Sequence, residues 1–406
     1  MNRKQFLTLL ILVVILGGAG LFLSRRYRSS WHESEQSLGQ RLLSDFPINN
    51  VTHIAIRQNT NEVNLVKKED IWRVRERADY PANFSSISDF LIKLRDMKIV
   101  QREPVGPSQL PRLELAKDSA GTNAPIQVEF RGADNKLIRS LLLGKKHMRK
   151  PTRPSPGEQF DEEGWPDGRY VMVDNDAQNA MLISDPLTTI EPKPEQWLNK
   201  EFFKIEKIRS IEVEFPNKTN SWKLTRENET GDWKLADAKP GEQLDSSKTS
   251  GFSYALSSPS FIDVTAPDTK PDYTGMDQPT LLKLETFDEL SYMIKVGKKT
   301  NENYYLSMAV ASLLPKERTE AKDEKPEDKD RLDNEFKEKQ KKLEERLAQE
   351  RKFEKWIYLV SSWTVDSLLK ERSNLLAEKK EENKAEGENA QSSSESSKTA
   401  SEKDKK

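Results

Sequence analysis

The sequence predicts an α+β protein in which an N-terminal transmembrane helix precedes two tandem β-rich modules of antiparallel strands, each with one packed helix. Three observations lead to this prediction: an uncharged apolar run near the start, short runs of alternating polarity from Asn50 onward, and recurrence of those runs in the same order. A chain of 406 residues is also longer than one ordinary domain, so several folded units are expected.

The first element is the run from Phe6 to Leu23, which has eighteen residues and no charged side chain. As a helix rising ~1.5 Å per residue it would span ~27 Å, about the thickness of the hydrocarbon layer of a bilayer. A cleaved signal peptide is the alternative, because Gly17 to Gly20 are small enough for a cleavage site. The apolar run continues to Leu23, which favours an uncleaved anchor over residues 1–28, followed by a polar spacer over 29–49.

The charges around this run discriminate weakly between orientations, since Arg3 and Lys4 precede it and Arg25, Arg26 and Arg28 follow it. Long soluble segments cross membranes largely regardless of charge. A short N-terminal tail and a long C-terminal part therefore favour a single-pass protein whose C-terminal part lies outside the cytoplasm.

The first predicted module covers residues 50–207 and begins with three runs that alternate as half-buried strands do. The period then becomes helical between Ser85 and Val100, with Ser85 or Ser86 as the N-cap. Further strands follow the helix. The predicted strands are Val51–Ile56, Val63–Val66, Ile71–Val74, Ile126–Phe130, Leu137–Leu143, Tyr170–Val173 and Ala180–Ser184, and the inward helical face comprises Ile87, Phe90, Leu91, Leu94 and Met97.

The second predicted module covers residues 208–375 and repeats this order, which indicates an internal duplication. Its predicted helix runs from Asp245 to Ser257. Its strands are Ile211–Phe215, Trp222–Leu224, Gly231–Leu235, Leu281–Thr286, Tyr292–Val296, Asn303–Ser307 and Ile357–Val360. The separation of matched residues is 157 for Ile54 and Ile211, 161 for Trp72 and Trp233, and 153 for Gly144 and Gly297.

Small changes in separation are what loops of different length produce. Trp72 and Trp233 each stand on a strand just before a helix, so each is expected to pack that helix on its sheet. Gly144 and Gly297 are each followed by two lysines, and we interpret these tripeptides as turns that end a strand.

An insertion over about residues 310–354 interrupts the second module. Its first part, Lys316–Asp330, is almost wholly charged and is predicted to be disordered. Its second part, Leu332–Glu354, has many Glu and Lys residues three or four apart and is predicted to be a helix. Its apolar stripe is too sparse to establish a coiled coil, so the helix either projects into solvent or serves as a docking arm for a partner. The tail over residues 376–406 is predicted to be disordered.

The sequence offers no catalytic, cofactor-binding or metal-binding residues, and we predict that the protein is not an enzyme. Cysteine is absent, which excludes disulfides and thiolate chemistry. His32, His53 and His147 are widely scattered, and no phosphate-binding loop or nucleophile elbow is present. The net charge of −1 gives no general attraction to nucleic acid, so no nucleic-acid partner is expected.

Two short motifs add to the order of elements. Tyr80–Asn83 (YPAN) leads into the first helix, and Tyr273–Pro279 (YTGMDQP) is similar to a Tyr-Gly-Leu-Asp-x-Pro turn with an inserted threonine. Together with the anchor and the strand order, they resemble the domain of unknown function 4340 family over roughly residues 50–370. The first module departs from that pattern, because Leu110–Leu115 stands where the turn would be, without its tyrosine and glycine.

The resemblance implies a bacterial envelope protein of the inner membrane, linked with ABC-type transporter components, and implies no catalytic residues. The leading hypothesis is therefore a non-catalytic interaction or accessory module for a membrane complex. It would contact the bilayer through its N-terminal helix and a membrane protein through its modules. A tethered binder of a small ligand or glycan is the alternative, with Trp165, Trp197 or Trp363 as the binding aromatics. An undetected hydrolase is the third hypothesis.

Overall fold

The computed structural model describes residues 39–119, 121–149, 164–313, 317–319 and 325–377. The predicted anchor, the spacer up to residue 38 and the tail from residue 378 lie outside these ranges. Among the described residues, no helix has the length and apolar character needed to cross a membrane. Two antiparallel sheets with a few helices form the described part, so the predicted α+β class is confirmed.

The first sheet has nine strands in the order β4-β3-β2-β1-β6-β7-β8-β9-β5, and every neighbouring pair is antiparallel. Helix α1 (Phe84–Asp96) connects β4 to β5. The strands are β1 (His53–Gln58), β2 (Asn61–Lys68), β3 (Ile71–Val74), β4 (Tyr80–Pro81), β5 (Ile99–Pro104), β6 (Ile126–Arg131), β7 (Leu137–Arg149), β8 (Trp165–Val173) and β9 (Asn179–Ile183).

The second sheet has eight strands in the order β12-β11-β10-β14-β15-β16-β17-β13. The strands are β10 (Ile208–Glu214), β11 (Trp222–Thr225), β12 (Lys234–Leu235), β13 (Phe261–Thr265), β14 (Thr280–Thr286), β15 (Leu290–Thr300), β16 (Asn303–Ser312) and β17 (Ile357–Ser361). The helices are α2 (Ser246–Thr249), α3 (Pro271–Thr274), α4 (Lys329–Glu350) and α5 (Arg372–Leu375).

The two sheets have the same strand order once β4 is set aside. Ile54 on β1 faces Leu65 and Phe130 on its two neighbours. Ile211 on β10 faces the equivalent residues Leu224 and Leu284. The matched residues therefore occupy the same place in each sheet, although the bounds of the two modules stay a prediction.

The tight connections between strands follow from residues that tolerate a left-handed backbone. Asn59, Asp70, Asn135 and Asn301 all have positive φ values between 51° and 63° and sit where one strand turns back on the next. Asn and Asp adopt this conformation more readily than other residues with a side chain. These turns keep consecutive strands adjacent and fix their register.

Three strands were missed: the two-residue β4 at the start of the Tyr80–Asn83 motif, and β5 and β13, whose burial does not alternate regularly. Strand β5 occupies the end of the helix predicted over Ser85–Val100, and α1 in fact ends at Asp96. Only the first residue of β5 is buried, because this strand lies at the edge of the sheet beside β9. Strand β13 holds the equivalent edge position beside β17. The N-cap of α1 is Asn83 rather than a serine, because its side-chain oxygen accepts from the Ser86 amide.

The last strands match with a shift of one residue from the sequence alignment. Tyr170 pairs with Leu182 on β9, and Tyr305 pairs with Leu359 on β17. Val171 also pairs with Leu143 before Gly144, as Leu306 pairs with Val296 before Gly297. Tyr170 therefore corresponds to Tyr305, whereas matching the run Arg169–Val173 with Asn303–Ser307 by sequence pairs it with Tyr304. The Gly-Lys-Lys tripeptides also lie inside β7 and β15 instead of ending them, since both strands continue beyond the lysines.

The tryptophans of the two modules differ in role. Trp72 is buried, as predicted. Trp233 is only partly buried and precedes the two-residue strand β12. In the second module it is Trp222 that is buried and stacks on Phe252, with ring centroids 5.5 Å apart. The predicted helix Asp245–Ser257 is shorter than expected: α2 ends at Thr249 and a 3-10 helix follows.

The charged helix of the insertion does not simply project into solvent. Leu343 and Leu347 are buried in the core. Arg346 pairs with Asp288 at 3.1 Å, which ties α4 to the β14–β15 turn. The helix begins at Lys329, inside the segment Lys316–Asp330 that was predicted to be disordered and is only partly described.

In each module, a segment near the C-terminal end pairs with the residues just before the first helix of that module. Ala82 forms an isolated bridge with Leu198 in the first module, and Leu244 forms one with Leu376 in the second. The Ala377 amide then donates to the Gln243 carbonyl at 2.8 Å. Leu376 and Ala377, which were assigned to the disordered tail, are therefore paired with the second module.

Candidate functional site

The joint between the modules is an aromatic cluster. The Tyr80 ring of β4 lies 4.7 Å from Trp356, 5.8 Å from Phe261 and 6.2 Å from Tyr358, measured between ring centroids. Burial raises the pKa of Tyr80 to about 12 and also raises the pKa of Tyr358. Both hydroxyls therefore stay neutral at physiological pH. The hydrophobic core runs through this cluster from one sheet to the other without interruption.

Polar contacts fix the same joint at its rim. The Arg77 guanidinium donates to both carboxylate oxygens of Asp263, at 2.6 and 2.8 Å. Lys200 Nζ donates to the Ile262 carbonyl at 2.7 Å. Because bidentate Arg–carboxylate pairs have a fixed geometry, these contacts set the angle between the modules as well as their distance.

A groove of about 320 Å³ opens beside this ion pair and is lined by both modules. Tyr273 lies at its edge, 63% exposed, and its ring packs against the Tyr305 ring at 5.7 Å. None of the three tryptophans named as possible ligand platforms lines this groove. Trp165 and Trp363 are exposed elsewhere, and Trp197 is buried with its indole N–H donating to the Glu191 carbonyl.

A second and larger cavity, of about 580 Å³, lies in the first module beside strand β7. A 3-10 helix over Pro107–Leu113 crosses this strand at Gly144, so closely that a side chain there would clash with the Leu113 carbonyl oxygen. Glu114 follows with φ 55° and lines the cavity. The second module has the same crossing, since a side chain at Gly297 would clash with the Thr274 carbonyl oxygen.

This crossing explains the departure of the first module from the Tyr-Gly turn. Both short helices end in a residue with a left-handed backbone, Glu114 in the first module and Gly275 in the second. The segment Leu110–Leu115 thus occupies the place of the turn with a different sequence. In both modules the crossing requires a glycine inside the long strand, because a side chain there would clash with the short helix.

The buried charge of the cavity is Arg169 on β8, which is 7% exposed. Its Nε donates to the Gly144 carbonyl at 2.8 Å, and its Nη1 lies 3.4 Å from the carbonyls of Pro186 and Leu187. Burial lowers the pKa of Arg169 to about 10, and the more distant Glu114 and Glu191 oppose that shift. The guanidinium is therefore charged at physiological pH.

Further cations surround Arg169. Lys145 and Lys146 are exposed at the cavity wall, and neither forms an ion pair with a described residue. Lys193 pairs with Glu191 at 2.6 Å, which lowers the pKa of that carboxyl. With four cations and two carboxylates in its lining, the cavity has a net positive charge.

The described histidines have unrelated partners. His53 shares a hydrogen bond with Asn64 at 2.8 Å, and His147 shares one with Asp167 at 2.6 Å. Within the described ranges, no three residues of the types His, Cys, Asp and Glu come together as a group that could hold a metal ion. Arg169 was missed by sequence reasoning, which began the predicted strand at Tyr170 and gave this residue no role. The signal that could have revealed it is an arginine directly before the apolar run Tyr170–Val173.

The fold thus defines a class of protein with two similarly ordered antiparallel sheets, joined through one core. A family model described as a domain of unknown function (DUF4340) matches residues 163–279, which confirms the expected family resemblance over that range. The match includes Arg169 and the Tyr273–Pro279 turn and covers part of the residues 50–370 over which the resemblance was expected. Comparison with curated proteins and with solved structures finds no similar protein.

Proposed function

We propose that this chain is a non-catalytic, membrane-anchored envelope protein that serves as an interaction platform for a membrane complex, with an ABC-type transporter as the expected partner. The run Phe6–Leu23 would hold it at the bacterial inner membrane, with the C-terminal part outside the cytoplasm. The observation that supports this best is the continuous core at the joint. Modules held in a fixed arrangement lose little conformational freedom when a partner binds.

The groove at the joint is the proposed contact surface. It has an exposed tyrosine, Tyr273, and an arginine, Arg77, and these residue types are enriched where proteins bind each other. Both modules contribute to it, so it depends on their duplication and fusion. Tethering to the bilayer would raise the local concentration of the groove near membrane partners.

Site-specific photocrosslinking tests the contact surface. We expect benzoylphenylalanine at Tyr273 of the full chain, in native membranes, to capture a transmembrane transporter subunit. Tyr254 is the matched control, because it is also an exposed tyrosine and does not line the groove. Recovery of the chain without partner from both positions, under several crosslinking conditions, would count against the proposal.

The anchor is tested separately. We expect the full chain to stay with membranes after carbonate extraction, and a chain lacking residues 6–23 to be released. A reporter that is active only in the cytoplasm should be inactive when fused to the C-terminus. An active reporter would reverse the orientation without affecting the proposed partner contact.

A tethered binder of a small ligand is the second candidate function. The observation that favours it is the positively charged cavity around Arg169, which is unrelated to the joint. A glycan bound at the joint by Trp197 is not supported, because that side chain is buried. Binding of a small molecule by the purified chain, together with no partner captured at Tyr273 in native membranes, would favour this candidate over the first.

A further inference from the structure

We propose that the cavity around Arg169 binds a small organic anion through a carboxylate or phosphate group. The starting observation is a buried guanidinium with no carboxylate within ion-pair distance among the described residues. Removing such a charge from water is costly unless an opposite charge accompanies it. Its protein partners are three backbone carbonyls, which offer hydrogen bonds and no neutralising charge.

The hydrogen bonds of Arg169 leave one side of its guanidinium available. Nε and Nη1 are directed to the Gly144, Pro186 and Leu187 carbonyls, whereas Nη2 donates to no residue of the described chain. The carbonyl contacts hold the planar group in place. A group held in this way loses little conformational freedom on binding, which favours recognition of an oxyanion.

Lys145 and Lys146 supply the remaining positive charge. They directly follow Gly144, whose carbonyl holds Arg169, so the three cations come from adjacent points of β7 and β8. Lys146 pairs with Arg169 in the sheet register. Long lysine side chains at the entrance would attract an anion and contact its outer oxygens, while Arg169 binds it from the interior.

The rest of the wall indicates an organic ligand and not a bare inorganic ion. Ala124, Ile126 and Ile190 are buried residues that line the cavity, together with Met148 and Pro192. The volume of about 580 Å³ lies within the range of small-molecule sites and is far larger than a single phosphate needs. An apolar body with one anionic head group would match both parts of the lining.

The second module provides a natural comparison. Tyr304 occupies the position of Arg169 there, because it pairs with Lys299 as Arg169 pairs with Lys146. Lys299 lies over the Tyr304 ring, with Nζ 5.3 Å from its centroid. The second module thus has the same glycine and lysines without the buried guanidinium, so we expect the anion site in the first module alone.

Isothermal titration of the purified full chain in nonionic detergent tests this site. The probes are sodium phosphate, citrate and glucose 6-phosphate, with glucose as the neutral control. We expect saturable binding of at least one anion and none of glucose. In a separate arm, phosphatidylglycerol in mixed micelles is compared with phosphatidylcholine; selective binding there would identify a lipid head group as the source of the anion.

Three variants make the test specific. Arg169→Gln should weaken anion binding about 10-fold to 100-fold, as loss of a charged hydrogen-bond donor does. Because Arg169 also holds three carbonyls, Lys145→Gln/Lys146→Gln provides a second test at exposed positions and should weaken binding at least several-fold. Lys298→Gln/Lys299→Gln changes the net charge equally in the second module and should leave binding unchanged.

Two results would overturn the proposal. One is the absence of saturable binding of every anionic probe, soluble or lipid. The other is equal weakening by the lysine pairs of both modules, which would mean attraction by general charge. Neither result depends on a membrane partner, so this site and the proposed platform can fail independently.

Discussion

Arg77 and Asp263 connect the two modules through a bidentate ion pair, with both side chains about three-quarters buried. Water screens such a pair less than an exposed one. In a double-mutant cycle with Arg77→Ala and Asp263→Ala, we expect a coupling free energy of about 1–2 kcal/mol in urea unfolding.

The control cycle uses Arg331 and Glu335 on α4, which are 2.7 Å apart and both more than half exposed. Their coupling should be about 0.3–0.5 kcal/mol. Equal coupling in the two cycles would show that the Arg77–Asp263 pair contributes no more than a surface contact.

The glycines inside the long strands should not tolerate a methyl group. Gly144→Ala and Gly297→Ala place a Cβ against a carbonyl oxygen of the crossing helix, so we expect each to lower the free energy of unfolding by about 1–3 kcal/mol. Gly251 is the control, because a Cβ there meets nothing. Gly251→Ala should be neutral or slightly stabilising, by up to ~1 kcal/mol. Similar losses for all three would argue against the crossing.

In the second module, Trp222 should contribute more to stability than Trp233, although Trp233 was the tryptophan expected to pack the helix on the sheet. Trp222 is buried, stacks on Phe252 and donates to the Lys370 carbonyl at 2.7 Å. We expect Trp222→Ala to cost about 3–5 kcal/mol in urea unfolding. Trp233→Ala should cost clearly less, because its ring is partly exposed beside Arg226. A larger loss at Trp233 would contradict the role of Trp222 as the buried tryptophan of the second module.

Glu350 should make stability depend on pH. It is buried at the end of α4, and burial raises the pKa of its carboxyl above the ordinary value of 4.5, with Arg346 opposing. The folded state therefore prefers the protonated acid. Its stabilising contribution is fully present below about pH 4.5 and is lost as the pH rises through the raised pKa.

Substitution isolates this effect. Relative to the wild type, Glu350→Gln should gain thermal stability as the pH rises from 4 to 7, because the amide never ionises. Glu345→Gln, at an exposed position of the same helix, is the control and should show little change with pH. A constant difference between Glu350→Gln and the wild type at all pH values would rule out ionisation of Glu350 as the cause.

Much of the sheet order could be predicted because alternating burial repeats between the modules. Ile54 and Ile211 are matched correctly, since strands with one buried face have a recognisable period. Edge strands such as β5 escape this method because little of their surface is buried. The sequence also does not show that Trp222, and not Trp233, is the buried tryptophan of the second module. Trp222 packs on Phe252, which lies in the 3-10 helix that follows the shortened α2.

The cavity could not be predicted for a different reason. Arg169 gains its significance from the Gly144, Pro186 and Leu187 carbonyls, which come from two other segments of the chain. A contact between segments that are far apart in sequence leaves no recognisable pattern in either segment alone. Lys145 and Lys146 were visible as a doublet, but only their strand pairing with β8 places them beside a buried charge.

The hydrogen bonds between the helix start and the far end of each module affect how the chain folds while it is being synthesised. The amide of Asn83, which caps α1, donates to the Trp197 carbonyl at 2.7 Å, and the Asp245 amide donates to the Leu375 carbonyl at 2.9 Å. Neither helix start can be completed until the far end of its module has left the ribosome. Folding that depends on such distant contacts is slow and leaves unpaired strands exposed. A nascent first module would therefore need protection from aggregation until residue 198 emerges.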